Sequence, residues 1–321
     1  MITKCPICSE TNCNKSFMVH EMMSISGEEF KYILCKNCNT LYLSKIPDSM
    51  EKYYKNNYYS FSKISNKNPN SIYKKKLKLW RDDALIFGRL YSWFFIKLIT
   101  RDNSLDFMRG LNLSKQSNIL DVGSGSGALL HRLAESKFSN LTGIDPYILK
   151  NISYKNGLNI YKKQLNDVDG KFDLISFHHS FEHMENPLEV LHSAKKKISA
   201  NGIIVLRIPI FPSFAWRKYR ESWVQIDAPR HLHIFSVESI KILAGKSKLR
   251  VLKVEYDSNE FQFWGSEQCR AGVALNSQNS FLNNPKGSIF SKLDMLKFKV
   301  LSKVFNMKKD GDQVAIYLVN K

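Results

Sequence analysis

The sequence predicts an α/β fold, a doubly wound sheet of seven strands with a small four-cysteine module ahead of it and helical segments between. Three observations carry this prediction. From Ser117 onward, short apolar runs alternate with longer mixed segments, the texture of β/α units. A glycine-rich turn, Gly123-Ser124-Gly125-Ser126-Gly127, follows the first of those runs. Four of the six cysteines form two Cys-x-x-Cys pairs near the N-terminus.

The elements follow in order. Residues 1–45 hold the cysteine module, 46–115 a linker arm and helical segment, and 116–321 the α/β domain. The arm begins with the polar-aromatic run Tyr53-Tyr54-Lys55-Asn56-Asn57-Tyr58-Tyr59, which suits a segment lying on another surface. Residues 72–110 contain no Pro and read as one or two helices. Strands are expected at 118–122, 141–144, 158–161, 172–177, 203–208, 250–255 and 314–319. Helices are expected at 127–137, at 187–198 opened by Pro187, and from Ser236 to about Gly245. Asn201-Gly202 is read as the stop of the second helix. Residues 257–312 are too long for a hairpin loop and read as an inserted subdomain or lid.

With 43% hydrophobic and 12% aromatic residues, the chain is globular rather than disordered. No uncharged apolar run reaches the roughly 18 residues of a membrane span. The nearest approach, Ala84 to Thr100, is broken by Arg89 and Lys97 and reads as a helix that packs on the sheet or lies on a membrane surface. The N-terminal residues lack the pattern of a signal peptide. A cytoplasmic protein is expected, with peripheral membrane contact as a further expectation. The formal charge of +19 suits phosphates on nucleotide-linked or lipid-linked substrates, an anionic membrane, or nucleic acid. Nucleic acid is the less favoured partner, because lysines are scattered apart from Lys74-Lys75-Lys76 and Lys195-Lys196-Lys197. Oligomeric state is not legible.

Each Cys-x-x-Cys turn aims two thiolates at one point, and Cys5, Cys8, Cys35 and Cys38 complete a tetrahedral site for structural zinc. A redox pair would stand alone beside a βαβ unit. Cys13 is read as a bystander and Cys269 as buried.

In the α/β part, Ile119-Leu120-Asp121-Val122 leads into Gly123, Ser124, Gly125 and Gly127 where the first strand turns into its helix. Parallel sheets bind ligands at such carboxyl ends. Asp145, at the end of the second strand, is placed to accept hydrogen bonds from ribose hydroxyls. A nicotinamide fingerprint spaces its glycines as G-x-G-x-x-G, whereas this turn reads G-x-G-x-G. The stretch from Asp121 to Gly127 resembles the first motif of class I S-adenosylmethionine-dependent methyltransferases, with their Rossmann-like sheet. The resemblance covers about 116–256 and 313–320. It implies that Asp121, Gly123, Ser124, Gly125 and Gly127 cradle S-adenosylmethionine while Asp145 holds its ribose.

His179-Ser180-Phe181-Glu182-His183 matches the H-x-x-E-H of inverted zinc peptidases. That chemistry needs both histidines on an established helix, and here the motif directly follows a strand. In class I methyltransferases a similar Glu-His ahead of a Pro-initiated helix closes the cofactor pocket, which His183 to Pro187 resembles. His178 or His179 then lines the cofactor or substrate pocket, while Glu182 and His183 serve either local packing or the site. After the fifth strand, Trp223 and Arg230-His231-Leu232-His233 form a cluster suited to a polar acceptor that loses a proton. His231 is read either as the base or as a histidine held in a hydrogen-bonded loop, with Arg230, His233 and Trp223 as substrate contacts.

The layout as a whole resembles methyltransferases of bacterial surface-polysaccharide and deoxysugar pathways, which join a zinc ribbon to this fold. On that comparison His231 falls at the base of sugar C-methyltransferases, but Pro229-Arg230 precedes it where an acid is usual. Oxygen methylation of a nucleotide- or lipid-linked sugar is therefore at least as well favoured as carbon methylation. Two alternatives are a zinc-ribbon RNA methyltransferase and a non-catalytic cofactor-binding scaffold. Against the first, the ribbon lacks a dense basic cluster. Against the second, Asp121, the glycines and Asp145 are intact.

Overall fold

The computed structural model describes residues 4–11, 15–54, 72–88 and 104–321. Cys13, most of the Tyr/Asn/Lys-rich arm and residues 89–100 lie outside them.

Among the described residues, the main sheet has eight strands in the order β11 (Leu249–Tyr256), β12 (Gln313–Asn320), β9 (Ile198–Pro209), β8 (Phe172–His178), β4 (Ile119–Val122), β5 (Leu141–Ile144), β7 (Asn159–Tyr161) and β6 (Ile152–Ser153). Its centre is β4 (Ile119–Val122), flanked in parallel by β5 (Leu141–Ile144) and β8 (Phe172–His178). Further out, β7 (Asn159–Tyr161) and β9 (Ile198–Pro209) are also parallel. β12 (Gln313–Asn320) enters antiparallel between β9 and β11 (Leu249–Tyr256), and short β6 (Ile152–Ser153) forms the opposite edge. All four residues of β4 are buried, as expected of a strand covered on both faces. The seven expected strands are present, and β6 is the addition.

β9 begins five residues before the expected start. The chain passes through Asn201-Gly202 without stopping, and the pairing of β8 with β9 shifts register between Phe172 and Leu174. A Cβ on Gly202 would lie 2.8 Å from the Phe172 carbonyl oxygen, so this glycine permits a close strand approach rather than ending a helix.

Helix α1 (Ile72–Phe87) and α2 (Ala128–Glu135) cover one face, where Ile86, Leu130 and Leu133 pack with Leu174 and Tyr317. On the other face, α3 (Pro187–Lys197) starts on its proline and α5 (Val237–Lys246) is capped by Ser236.

The cysteine module is a sheet of β1 (Lys15–His20), β2 (Glu29–Leu34) and β3 (Leu41–Leu43), all antiparallel. Its fourth strand, β10 (His233–Ile234), is supplied by the loop after β9 and pairs with β3. Further ties fix this junction: Tyr32 Oη donates to the His231 carbonyl at 2.7 Å, and Ser236 Oγ donates to the Cys38 carbonyl at 2.6 Å.

Residues 257–312 hold α6 (Phe261–Arg270) and α7 (Lys292–Met307). With α4 (Phe214–Tyr219) they bury Phe263, Trp264 and Phe298 against Val19, Trp216 and Trp223, a second core beside the module's sheet. Among the described residues, no helix is long and apolar enough to cross a membrane.

Candidate active site

At the end of β4 the chain turns sharply, and Gly123 (φ 74°), Gly125 (φ 54°) and Gly127 (φ 83°) all adopt left-handed backbone. A Cβ on Gly123 would sit 2.4 Å from Ser180 Cβ, and one on Gly127 2.5 Å from Ile160 Cδ1. The turn is thus pressed against Ser180, just past β8, and Ile160 of β7, and its left-handed backbone favours glycine. Asp145 follows β5. Its Oδ2 accepts the Gly125 N–H at 2.9 Å and its Oδ1 the Tyr147 N–H at 2.8 Å. Burial raises the Asp145 pKa, while these two donors oppose the rise. A carboxylate has about four acceptor sites, so both oxygens can still take vicinal hydroxyls.

Gly123 and Asp145 line a cavity of about 420 Å³, with Tyr147, Leu165, His179 and His183 on its other walls. Gly125 acts on Asp145, and Ser124 and Gly127 shape the turn. Asp121 lies beneath it rather than on the wall. It is 2% exposed, its Oδ1 accepts from Ser176 Oγ at 2.7 Å, and burial pushes its pKa up to about 7.

The histidines divide into separate environments. His178 turns away from the cavity, its Nε2 2.7 Å from Arg207 Nη1, and burial with that cation pushes its pKa well down. It stays neutral and structural. His179 lines the cavity in left-handed conformation (φ 53°), an uncommon backbone for a non-glycine residue. Its Nδ1 lies 3.5 Å from Glu182 Oε1. His183 also lines the cavity, and its Nδ1 donates to the Arg230 carbonyl at 2.8 Å. Burial and the neighbouring His231 push the His183 pKa down to about 4. His231 stands behind His183 at 4.7 Å between ring centroids and is 5% exposed, so it does not line the cavity. Its Nδ1 meets the Gln225 carbonyl at 2.8 Å, which makes Nδ1 the protonated nitrogen and leaves Nε2 facing Glu182 Oε1 at 3.8 Å.

Glu182 is the unusual group. It is fully buried, and among the described residues no hydrogen bond of ordinary geometry reaches either carboxylate oxygen. Burial alone would raise its pKa, but the surrounding His179, His231 and His183 hold it below the ordinary range. An unsatisfied buried carboxylate is costly, and its place beside the cavity makes it a candidate for the site's chemistry. The H-x-x-E-H motif forms a single tight turn at Phe181–His183, not a helix. Glu182, His183 and His231 nonetheless bring one donor atom each within 4.8 Å of one another.

The three expected substrate contacts lie elsewhere. Arg230 is 1% exposed and pairs through Nη2 with Glu21 Oε1 at 2.9 Å and Asp227 Oδ1 at 2.6 Å, which leaves it no reach to a substrate phosphate. Trp223 is 1% exposed and donates from Nε1 to Asp312 Oδ2 at 2.9 Å. His233 is buried in β10, and burial pushes its pKa down to about 4. All three hold the loop to the rest of the fold.

Several wall residues were missed from the sequence. Tyr54 stacks on Tyr147 at 5.4 Å, and Gln164, Leu165 and Asn166 follow β7. Polar residues directly after a parallel strand were the available signal.

In the N-terminal module, Cys5 Sγ lies 3.6 Å from Cys38 Sγ and Cys8 Sγ lies 3.5 Å from Cys35 Sγ, with all four sulfurs within 4.8 Å of one another. The two turns match: Ser9 (φ 66°) and Asn39 (φ 53°) follow Cys8 and Cys38 in left-handed conformation. Their N–H groups donate to the Cys5 and Cys35 carbonyls at 2.9 and 2.8 Å. Cys269 is buried far along the chain, in α6.

Residues 99–254 match a family model described as a methyltransferase domain. The chain is 26% identical over 149 residues to the mitochondrial ubiquinone biosynthesis O-methyltransferase of Saccharomyces cerevisiae, covering 41% of this chain and 48% of that protein. It is 37% identical over 76 residues to EEF1A lysine methyltransferase 2 of Danio rerio, covering 24% of this chain and 30% of that one. The chain thus spans less than half the length of either relative. Among solved structures, mycolic acid cyclopropane synthase CmaA1 complexed with SAH and CTAB is 18% identical. It superposes with a TM-score of 0.44 over 78% of this chain and 94% of that one.

Proposed function

We propose that the methyltransferase domain binds S-adenosylmethionine in the cavity beside Gly123 and Asp145 and transfers its methyl group to a hydroxyl of a nucleotide- or lipid-linked sugar. The observation that carries this reading is the left-handed glycine turn locked to Asp145, directly beside the His179–Glu182 pair. Gly123 and Asp145, both on the cavity wall, would hold the cofactor, with Asp145 accepting from its ribose hydroxyls. When bound, the cofactor supplies an electrophilic methyl group. His179 Nε2 takes the acceptor's hydroxyl proton, and the buried Glu182 carboxylate neutralises the imidazolium that forms. The base role passes from His231 to His179 because only the latter lies on the cavity wall. The excess of basic residues favours a phosphate-linked acceptor.

The test is formation of S-adenosylhomocysteine by the purified chain with nucleotide sugars, lipid-linked saccharides and RNA as separate acceptors. Turnover with a saccharide and none with RNA is the expected result. Turnover with RNA alone would establish the RNA alternative.

The four cysteines suit structural zinc. A tetrahedron of Zn–S bonds of about 2.3 Å places sulfurs about 3.8 Å apart, close to the observed contacts. Elemental analysis should return one zinc per chain, lost on Cys35→Ser. No zinc in a folded protein would contradict the assignment. A metal equivalent surviving that substitution would instead point to Glu182, His183 and His231.

A further inference from the structure

Helix α7 presents two unlike faces. Phe298 and Ser302 are buried toward the second core, with Met295, Leu301 and Phe305 half-buried beside them. On the opposite side Leu293 is 76% exposed, Leu296 59%, Val300 52% and Met307 77%. At about 100° per residue these four side chains fall on one stripe. Leu282 and Ile289, each 58% exposed, lie just ahead of the helix.

Lysines rim the stripe. The same helical spacing puts Lys297 and Lys308 on one side of it and Lys292, Lys299 and Lys303 on the other. Asp294 is the sole acidic residue of the helix, and it is spent in a capping box with Ser291. A second copy docked on this face would set lysine rows against lysine rows, a like-charge contact on a chain already at +19. An anionic lipid surface meets both demands, since acyl chains accept the stripe and headgroup phosphates pair with the lysines.

We propose that α7 is an interfacial helix that seats the protein on anionic phospholipid bilayers, with Leu293, Leu296, Val300 and Met307 inserted and the flanking lysines at headgroup level. The proposal is independent of the methyl-transfer reading.

Co-sedimentation of the full chain with vesicles of phosphatidylcholine alone, and with phosphatidylglycerol added, tests it. Binding is expected only to the anionic vesicles and should weaken as salt screens the lysines. Leu296→Ser with Val300→Ser should lower partitioning at least about tenfold, because inserted apolar groups dominate the anchoring. Lys297→Gln with Lys303→Gln should lower it by about fivefold per lysine on anionic vesicles. All four positions face outward, so unfolding midpoints should stay at the wild-type value. Failure of wild type to bind anionic vesicles would overturn the proposal. Equal binding by both variants would also overturn it, by placing the contact elsewhere. So would a wild-type dimer that the Leu296/Val300 variant dissociates, since the stripe would then be a protein interface.

Discussion

His179→Ala is expected to lower kcat by about 10²–10⁴ while leaving affinity for S-adenosylmethionine nearly unchanged, the usual worth of a general base. His179 lies on the cavity wall with Nδ1 directed at Glu182, while Asp145 and the glycine turn stand on neighbouring strand ends. Glu182→Gln should also reduce kcat, since it keeps the side chain's shape but removes the charge that stabilises the imidazolium. His231→Ala should cost less, because His231 reaches the site only indirectly, through Glu182 and His183. Turnover at saturating cofactor and acceptor ranks the variants. Should His231→Ala be the most damaging, the base role returns to His231.

Arg230→Ala should destabilise the fold by about 3–5 kcal/mol, the typical cost of stranding buried charges. Glu21 comes from the loop after β1 and Asp227 from the loop before β10, so this cation joins the module to the α/β domain. Glu21 is 1% exposed, and its carboxylate also accepts the Met23 and Ser24 N–H groups, both at 3.0 Å. Burial would raise the pKa of both acids, but Arg230 holds each below its ordinary value. Groups with depressed pKa values stabilise above their unfolded-state pKa, and that contribution fades as pH falls through the folded one. The gap between wild type and Arg230→Ala should therefore be full at neutral pH and shrink in acid. Denaturant titrations at neutral pH and near pH 3 read both effects. A loss under about 0.5 kcal/mol at neutral pH, ordinary for an exposed site, would show that the triad does not hold the junction.

The parts of the fold that were legible are those in which local pattern and burial agree. β4, β8 and residues 203–209 of β9 are largely buried on both faces, and the turn after β4 needs glycine for reasons visible in its spacing. Less legible were elements created by their partners. β10 is two residues long and is a strand only because β3 lies beside it. The apolar residues of α7 fall on two faces, one packed and one exposed, which blurs the helical period. Asn201-Gly202 is a common helix stop, yet here it serves a close strand approach. The active site shows the same division. Asp145 and Gly123 could be placed because strand ends in a parallel sheet converge. The fate of Arg230 depended on Glu21, a contact spanning 209 positions that no local pattern encodes. The inward retreat of His231 likewise followed from its loop joining the module's sheet.

The claim on which the rest depends is that the cavity at Gly123 and Asp145 is a site for S-adenosylmethionine. Isothermal titration of the cofactor into wild type and Asp145→Ala measures it directly. Saturable binding at one site per chain is expected. Its affinity should fall roughly tenfold or more in the variant, because a hydrogen bond to a charged group contributes about 1.5–3 kcal/mol. Absence of binding to wild type, or equal affinities in the two proteins, would contradict the account.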